Sequence, residues 1–287
     1  MRAEGAMIRQ NLHAHCTYDD GRNTPEEMVR ASQCAGLESV GISLHSPMPF
    51  ETAWAAKAEE IPAFLCEMRR LRQAYAGQIR VYAGIEWDVL SPASDLARFD
   101  YVIGSVHHLP VGSRYPTVDD SERTTEAFLE RHFGGNADAA AELYYRELEK
   151  VAQEPEADIV GHFDLLTKFN ERRRYFDEES QAYRRAALRA MEALVAAGKI
   201  FEVNTGAISR GYRSTPYPSR ALLCALACMG GRVTVSADAH DVRAVATHFE
   251  QAEALICACG FREIWQLEPQ DGKAAFVPYR IGERPAV

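Results

Sequence analysis

The sequence predicts an α/β protein built on a parallel sheet, because short β-rich runs alternate with amphipathic helical stretches along most of the chain. Histidines and carboxylates also cluster just after several β-rich runs, which is where parallel β/α proteins place their active sites. The β-rich runs are residues 8–12, 39–42, 79–85, 101–104, 158–160, 200–203, 233–235 and 263–267. Helical stretches near 58–76, 137–153, 179–197, 219–229 and 243–259 separate most of them.

The first helix of this alternation carries its own start and stop signals. Thr24 suits the N-cap, Pro25 suits the first helical position, and Glu27 completes a capping box with Thr24. Gly36 suits the position that ends the helix. A helix is therefore predicted between Thr24 and Gly36.

Composition limits the classes of partner. The 287 residues are 47% hydrophobic and 25% charged, which is typical of a globular protein. Because 32 Lys and Arg face 41 Asp and Glu, the net charge is −9, and we expect neither nucleic acid nor an anionic membrane as a partner. No apolar run approaches the roughly 20 residues that span a bilayer.

One domain covering residues 1–287 is expected, since no low-complexity linker or repeat interrupts the chain. The segment 109–136 is predicted to be an insertion that covers the site. The seven cysteines are odd in number, and helix cysteines such as Cys224 and Cys228 are interpreted as small buried residues in a reducing compartment. The range 1–7 lacks a signal-peptide core, which favours a cytoplasmic location. The oligomeric state is left open.

Six of the nine histidines lie at the end of a β-rich run or shortly past it. The carboxyl ends of parallel strands open on one face of a barrel, so these residues should meet in one ring although they are far apart in the chain. They are His13 and His15 after the first run, His45 after the second, His107 after the fourth, His162 after the fifth and His240 after the seventh, with Glu86 ending the third run and Asp238 the seventh.

Such a ring predicts a divalent metal centre. Crowded carboxylates repel one another and buried imidazoles need partners, whereas a divalent metal binds both kinds of group. In His13-Ala-His15 the two side chains point the same way along an extended segment, and Asp238-Ala-His240 repeats the pattern.

The remaining histidines are interpreted differently. His132 and His248 fall in helical stretches and are interpreted as ordinary helix residues. His108 directly follows His107, so one of the two must point away from the ring.

The motifs that carry these residues resemble the polymerase and histidinol phosphatase superfamily, and within it the histidinol-phosphate phosphatases, over nearly the whole chain. The resemblance implies a distorted (β/α)7 TIM-like barrel with a metal cluster at the C-terminal ends of the strands. The motifs are Asn11-Leu-His-Ala-His15 with Asp20-Gly21, Gly41-Ile-Ser-Leu-His45-Ser-Pro, Gly84-Ile-Glu86, Tyr101-Val-Ile-Gly-Ser-Val-His107, Gly161-His-Phe-Asp-Leu-Leu-Thr-Lys168, Phe201-Glu-Val-Asn-Thr-Gly206 and Ser236-Ala-Asp238-Ala-His240.

The resemblance also implies up to three divalent ions, with zinc, iron or manganese as the occupants. Two positions depart from the family pattern: Leu44 stands where relatives often have Asp or Glu, and Asp20 stands where many have histidine. One ion would be held by His13, His15, Glu86 and Asp238, a second by Glu86, His107 and His162, and a third by Asp20, His45 and His240.

For function, the resemblance implies hydrolysis of a small phosphate monoester, most closely L-histidinol phosphate, by a metal-bridging hydroxide. Lys168 and Arg210 would hold the substrate phosphate, while the nearby run 172–174 of three arginines is interpreted as solvated. Glu86, His107 and Asp238 would be the catalytic residues. Acidic residues that could meet an amine on the leaving group include Asp19, Asp88 and Asp164.

Three alternatives remain at this stage. The first keeps the site but changes the substrate to another small phosphate ester, a phosphodiester or a nucleotide. The second is an amidohydrolase, whose barrel also begins with His-x-His but commonly uses a bridging lysine where this chain has Glu86. The third is a metal store or regulator, which would not require Lys168 and Arg210 beside the cluster.

Overall fold

Seven parallel strands form one sheet in the order β1 to β7, so that each strand pairs with the next one in the chain. This computed structural model describes residues 8–50, 52–270 and 273–281. The range 1–7, on which the expected location rests, lies outside the described residues. The strands are β1 (Gln10–Asn11), β2 (Ser39–His45), β3 (Arg80–Asp88), β4 (Tyr101–Ser105), β5 (Ile159–Val160), β6 (Ile200–Asn204) and β7 (Arg232–Ser236).

Helices connect the successive strands, except that the link between β3 and β4 holds only the 3₁₀ turn Leu96–Arg98. The first begins as predicted, because the Thr24 hydroxyl accepts a hydrogen bond from the Glu27 amide and the Glu27 carboxylate accepts one from the Thr24 amide. None of the helices in the described ranges combines the length and the apolar composition that a membrane span requires. The helices are α1 (Pro25–Cys34), α2 (Ile61–Ala74), α3 (Glu122–Phe133), α4 (Ala137–Leu148), α5 (Gln181–Ala196), α6 (Gly206–Ser209), α7 (Arg220–Cys228) and α8 (Phe249–Ala258).

The sheet closes into a barrel at a seam just past the ends of β1 and β7. There the His15 amide donates to the Ala239 carbonyl at 2.9 Å, and the Ala239 amide donates to the His13 carbonyl at 3.1 Å. The Asn11 side-chain oxygen accepts from the His13 and Ala237 amides at 3.1 and 3.0 Å. The predicted seven-stranded barrel is therefore confirmed, and its seam runs through segments that carry predicted metal ligands.

The barrel interior is filled from β4 by Tyr101, which is 1% exposed and donates to the Leu12 carbonyl. Two glycines leave room for its ring. A Cβ atom at Gly41 would lie 2.1 Å from the Tyr101 hydroxyl oxygen, and one at Gly84 would lie 2.2 Å from Cζ. These glycines of the quoted motifs are thus required by close packing below the site.

The predicted run 263–267 does not enter the barrel. It lies in β8 (Glu263–Gln270), which pairs antiparallel with β9 (Lys273–Arg280), a strand that the sequence pattern did not reveal. The Gln10 side chain exchanges hydrogen bonds with the Leu267 backbone at 3.0 and 2.8 Å. Leu267 packs against Leu12 and Tyr82, so the hairpin covers apolar residues of the barrel interior.

Two interpretations of the α7–α8 region are wrong. The helix predicted from residue 243 begins at Phe249, and His248 precedes it with a φ of 62°, so His248 is not a helix residue. The cysteines do lie on or beside these helices, but Cys228 is exposed and Cys224 is only half-buried. Small residues on a short surface helix match an apolar pattern without being buried.

The segment 109–136 folds back along the end of β4 before it forms α3. The Leu109 amide donates to the Pro116 carbonyl at 3.0 Å, and the Val118 amide donates to the His107 carbonyl at 2.9 Å. Exposed ion pairs of Arg172 and Arg173 with acidic residues of α3 join this segment to the loop after β5. That the segment is an insertion, and that residues 1–287 form one domain, stay predictions.

Replacing Gly84 with alanine should lower the free energy of unfolding by about 2 kcal/mol, because the new Cβ atom overpacks the barrel interior against Tyr101. Urea denaturation measures the change. In the double variant Gly84→Ala/Tyr101→Leu the smaller side chain leaves room for the methyl group, so the combined loss should be less than the sum of the single losses. Simple additivity would contradict this packing account.

Candidate metal centre

The site is organised around the carboxylate of Glu86, which is 1% exposed and lies on β3 in the middle of the ring of histidines. Its two oxygens face opposite sides of the ring. Oε2 lies 3.2, 3.6 and 2.9 Å from nitrogens of His13, His15 and His45. Oε1 lies 3.3 and 2.8 Å from the Nε2 atoms of His107 and His162.

One group of buried donor atoms, which lack hydrogen-bond partners of their own, is arranged so that a metal ion fits among them. His13 Nε2, His15 Nε2 and Glu86 Oε2 are buried, yet none of them has a hydrogen-bond partner in the part of the chain that the structure describes. Asp238 Oδ1 lies 3.8 and 3.5 Å from the two Nε2 atoms. Orphaned buried polar atoms are costly, and a divalent ion would satisfy nitrogen and carboxylate donors together. The residues present therefore fit a metal.

Two carboxylates behind these histidines fix which ring nitrogen faces the site. His13 Nδ1 lies 2.8 Å from Glu202, and His15 Nδ1 lies 2.7 Å from Asp19. Carboxylates that hold the far nitrogen in this way orient metal-binding imidazoles and set their tautomer. Sequence reasoning missed both roles. The signal for Glu202 was a buried acid in the otherwise apolar run Ile200–Val203.

A second group of donors comes together around Asp20. Asp20 Oδ1 lies 3.6 Å from His45 Nε2 and 3.3 Å from His240 Nε2. The turn that presents Asp20 needs Gly21, because a Cβ atom there would lie 2.2 Å from the Cys16 amide nitrogen. Leu44, the departure from the family pattern, is fully buried in the hydrophobic core.

A third group gathers His107 and His162 at Glu86 Oε1, as the resemblance implied, and His45 joins it. His45, Glu86 and His107 offer donor atoms that lie within 4.8 Å of one another. His45 thus faces Glu86 with one ring nitrogen and Asp20 with the other. All nine predicted ligands come together in the structure, and their assignment to particular ions stays a prediction.

Neighbouring charges raise the pKa values of His13 and His15 and lower that of Glu86. Burial lowers the pKa of His15, but the Asp19 carboxylate outweighs it and raises that pKa to about 10. Against the same burial effect, Glu202 and Glu86 raise the pKa of His13. Burial raises the pKa of Glu86, but His13, His107 and His45 together outweigh it, so this pKa lies well below its ordinary value. An ion must displace these protons from the imidazoles when it binds.

Asp238 and Arg210 form a tight pair at the rim of the site. Asp238 has a φ of 48°, a left-handed conformation that is strained for a residue with a side chain. Arg210 donates to its carboxylate at 2.8 Å and to its carbonyl at 3.0 Å, and also contacts His240 Nδ1 at 2.9 Å. Arg210 Nε is buried and, among the described residues, has no acceptor. The side chain as a whole is 29% exposed, so the outer part of the guanidinium can meet an anion.

Lys168, the other predicted phosphate ligand, is held in place by aromatic rings and by Asp119. Its ammonium lies 5.1 and 5.6 Å from the ring centres of Tyr212 and Phe169. It also donates to the Asp119 carbonyl at 2.7 Å and to the Asp119 carboxylate at 3.0 Å. Asp119 belongs to the segment 109–136, and sequence reasoning did not single it out.

An aromatic wall, formed by Trp54, His108 and Phe50, lies beside His107. Trp54 lies 4.6 Å from the ring centre of His45 and 5.4 Å from that of His107. His108 stacks on Trp54 at 5.5 Å with an interplanar angle of 12°, and Phe50 contacts the edge of the His108 ring. His108 is therefore the member of the pair that points away from the ring of ligands.

The other residues considered near the pocket have structural partners. Arg213 is buried against Thr167 at 2.6 Å and stacks over Tyr217 at 4.3 Å, so it faces the interior. Asp164 accepts from the Ser219 amide at 2.8 Å and lies 3.9 Å from Arg213. The arginines of the run 172–174 are exposed, as expected.

The chain is similar to known proteins over this same region. The model of the PHP domain family matches residues 11–206. A Deinococcus radiodurans protein named "Probable histidinol-phosphatase" is 30% identical over 90% of this chain and 95% of its own length. A Schizosaccharomyces pombe protein of the same name is 26% identical over 92% of each chain.

A solved structure shares the fold. It is the histidinol phosphate phosphatase of Lactococcus lactis in complex with zinc, L-histidinol and phosphate, which is 21% identical to this chain. The TM-score is 0.67, and the match covers 90% of this chain and 95% of that one. With the family model matching well over half of its length, this chain belongs to the PHP domain family.

Proposed function

We propose that the protein is a metal-dependent histidinol-phosphatase that converts L-histidinol phosphate and water to L-histidinol and phosphate. The observation that carries the proposal is the buried Glu86 carboxylate, whose oxygens face five histidines beside two cationic side chains. Relatives named histidinol-phosphatase match nearly the whole chain, which supports the choice of substrate.

The donor set favours up to three divalent ions, with zinc, iron or manganese as the occupants. Bound ions supply Lewis acidity toward the phosphoryl oxygens and acidify a water molecule at neutral pH. Glu86 and Asp238 supply the negative charge that holds them, and Glu86 serves two ion positions. Asp19 and Glu202 keep the imidazoles in the orientation and tautomer that ligation requires.

The cations at the rim bind the phosphoryl group of the substrate. Arg210 is 29% exposed at the rim beside Asp238, and its guanidinium can donate charge-assisted hydrogen bonds to a phosphate oxygen. Lys168 adds a second positive charge that is fixed by Tyr212 and Phe169. A metal store would not need these groups, which favours an enzyme over the storage alternative.

The aromatic wall favours a leaving group that carries a flat ring. Trp54 and His108 stand beside His107 on loops that follow β2 and β4. Aromatic stacking contributes roughly 0.5–1.5 kcal/mol beyond the burial of area. The imidazole of histidinol is a ring of suitable shape for this surface, whereas a small polyol has no ring to place there.

The decisive test is phosphate release from L-histidinol phosphate beside a panel of sugar and nucleotide monophosphates. Chelated protein is reloaded with manganese, zinc or iron before the assay. We expect kcat/KM for L-histidinol phosphate to exceed that of every other ester by about 100-fold or more, because ring and phosphate are bound together. Equal, weak activity across the panel would contradict the choice of substrate but not the phosphatase chemistry.

Glu86→Gln should lower kcat/KM by a factor on the order of 1000, because the isosteric amide removes the charge that serves two ion positions. Bound metal is measured on the same sample, and circular dichroism reports the fold. The matched control is His132→Gln on α3, which should keep both activity and metal. Full turnover by the Glu86 variant would refute the metal-centre assignment.

Arg210→Ala should weaken phosphate binding by about 10- to 100-fold, the value of a charge-assisted hydrogen bond. We expect KM for the substrate and the inhibition constant of inorganic phosphate to rise together. Arg174→Ala, an exposed arginine of the same loop that pairs with Asp177, is the control and should change neither. An inhibition constant that stays at the wild-type value would remove Arg210 from the phosphate site.

A further inference from the structure

A carboxylate, that of Asp119, lies next to the proposed phosphate site, where only cationic side chains are expected. Asp119 lies beside Lys168, and its side chain is 20% exposed. The turn before it fixes its position, because the Thr117 hydroxyl donates to Asp119 Oδ1 at 3.2 Å and the Val118 amide donates to the His107 carbonyl. Asp119 is thus held rigidly on the covering segment, next to the residue that binds phosphate.

Asp119 is ionised when the substrate arrives. Burial raises its pKa, but the Lys168 ammonium and then His107 outweigh burial and leave the pKa below its ordinary value. A carboxylate beside the phosphate site repels the phosphate charge, and this repulsion is stronger in a partly buried site than in water. Lys168 offsets only part of this repulsion, because the same ammonium must serve both anions.

The other acidic candidates near the pocket already have partners. Asp19 accepts from His15 and from the backbone amides of Cys16 and His45. Asp88 accepts from the backbone amides of Leu90 and His107. Asp164 is fully buried and accepts from the Ser219 amide, away from the rim. The side chains of these three acids are at most 2% exposed, whereas that of Asp119 is 20% exposed and can meet a substrate.

The geometry points to Asp119 as the acceptor of a substrate ammonium group that stands beside the phosphate ester. This assignment rests on the proposed function and makes Asp119 a specificity-determining residue. In L-histidinol phosphate the carbon that bears the ammonium is bonded to the carbon that bears the ester oxygen. The ammonium therefore reaches Asp119 while Lys168 and Arg210 hold the phosphate. An ester without the cation meets an uncompensated negative charge.

The test compares Asp119→Asn with Asp120→Asn, a matched change at the next, exposed residue. The metal-loaded enzymes are assayed on two substrate pairs: L-histidinol phosphate with its des-amino analogue, and phosphoethanolamine with ethyl phosphate. For Asp119→Asn we expect kcat/KM to fall about 10- to 100-fold on the ammonium esters, the value of a charge-assisted bond, and to rise on the esters that lack it. Asp120→Asn should leave all four values at the wild-type level.

Opposite changes within each pair support the assignment. A parallel fall on all four esters overturns it, because Asp119 then only positions Lys168. A wild-type enzyme that does not prefer the ammonium ester in either pair overturns it as well. Failure of the proposed function looks different: L-histidinol phosphate is then hydrolysed no better than phosphoethanolamine, while the ratio within the second pair still decides the role of Asp119.

Discussion

The structure depends on one buried charge, the Glu86 carboxylate at the centre of the barrel mouth. A carboxylate in this position must be compensated, and five imidazoles from four different strand ends surround it. The imidazoles in turn need acceptors on their outer nitrogens, which explains the acids Asp19 and Glu202 behind them. Positive and negative groups therefore alternate outward from Glu86, and each layer fixes the orientation of the one inside it.

Strand ends and loops contribute different kinds of residue to the mouth of the barrel. Residues on or next to the strands supply the predicted metal ligands, whose positions are fixed by the barrel. Loops supply the groups that we propose to face a substrate: Trp54 follows β2, Asp119 follows β4, and Lys168 follows β5. Substrate choice can thus change through loop residues while the ligand ring stays constant, as is common for parallel β/α barrels.

Much of this arrangement could be predicted from the sequence, and the exceptions have physical reasons. Alternating runs and strand-end histidines predicted the parallel sheet and the ring of ligands, and Thr24 with Glu27 marked the start of α1. The hairpin partner β9 was missed because its residues are mostly half-buried and their sequence shows no regular apolar alternation. Asp119 was missed because its position beside Lys168 comes from a loop folding back onto β4, a long-range contact that local sequence does not encode. The interpretation of Cys224 and Cys228 as buried was wrong, because an apolar helix pattern does not show how deeply each helix residue is buried.

The barrel seam has a consequence for the stability of the protein against unfolding and proteolysis. The seam joins parts of the chain separated by 226 residues, through backbone bonds next to His13, His15 and Asp238. An ion that draws these ligands together also holds the first and last strands of the barrel together, and at 100 times its dissociation constant adds about 2.7 kcal/mol to the folded state. A bound ion would therefore stabilise the chain as well as activate it. Without metal, we expect the barrel to open first at this seam and proteolytic cleavage to begin there.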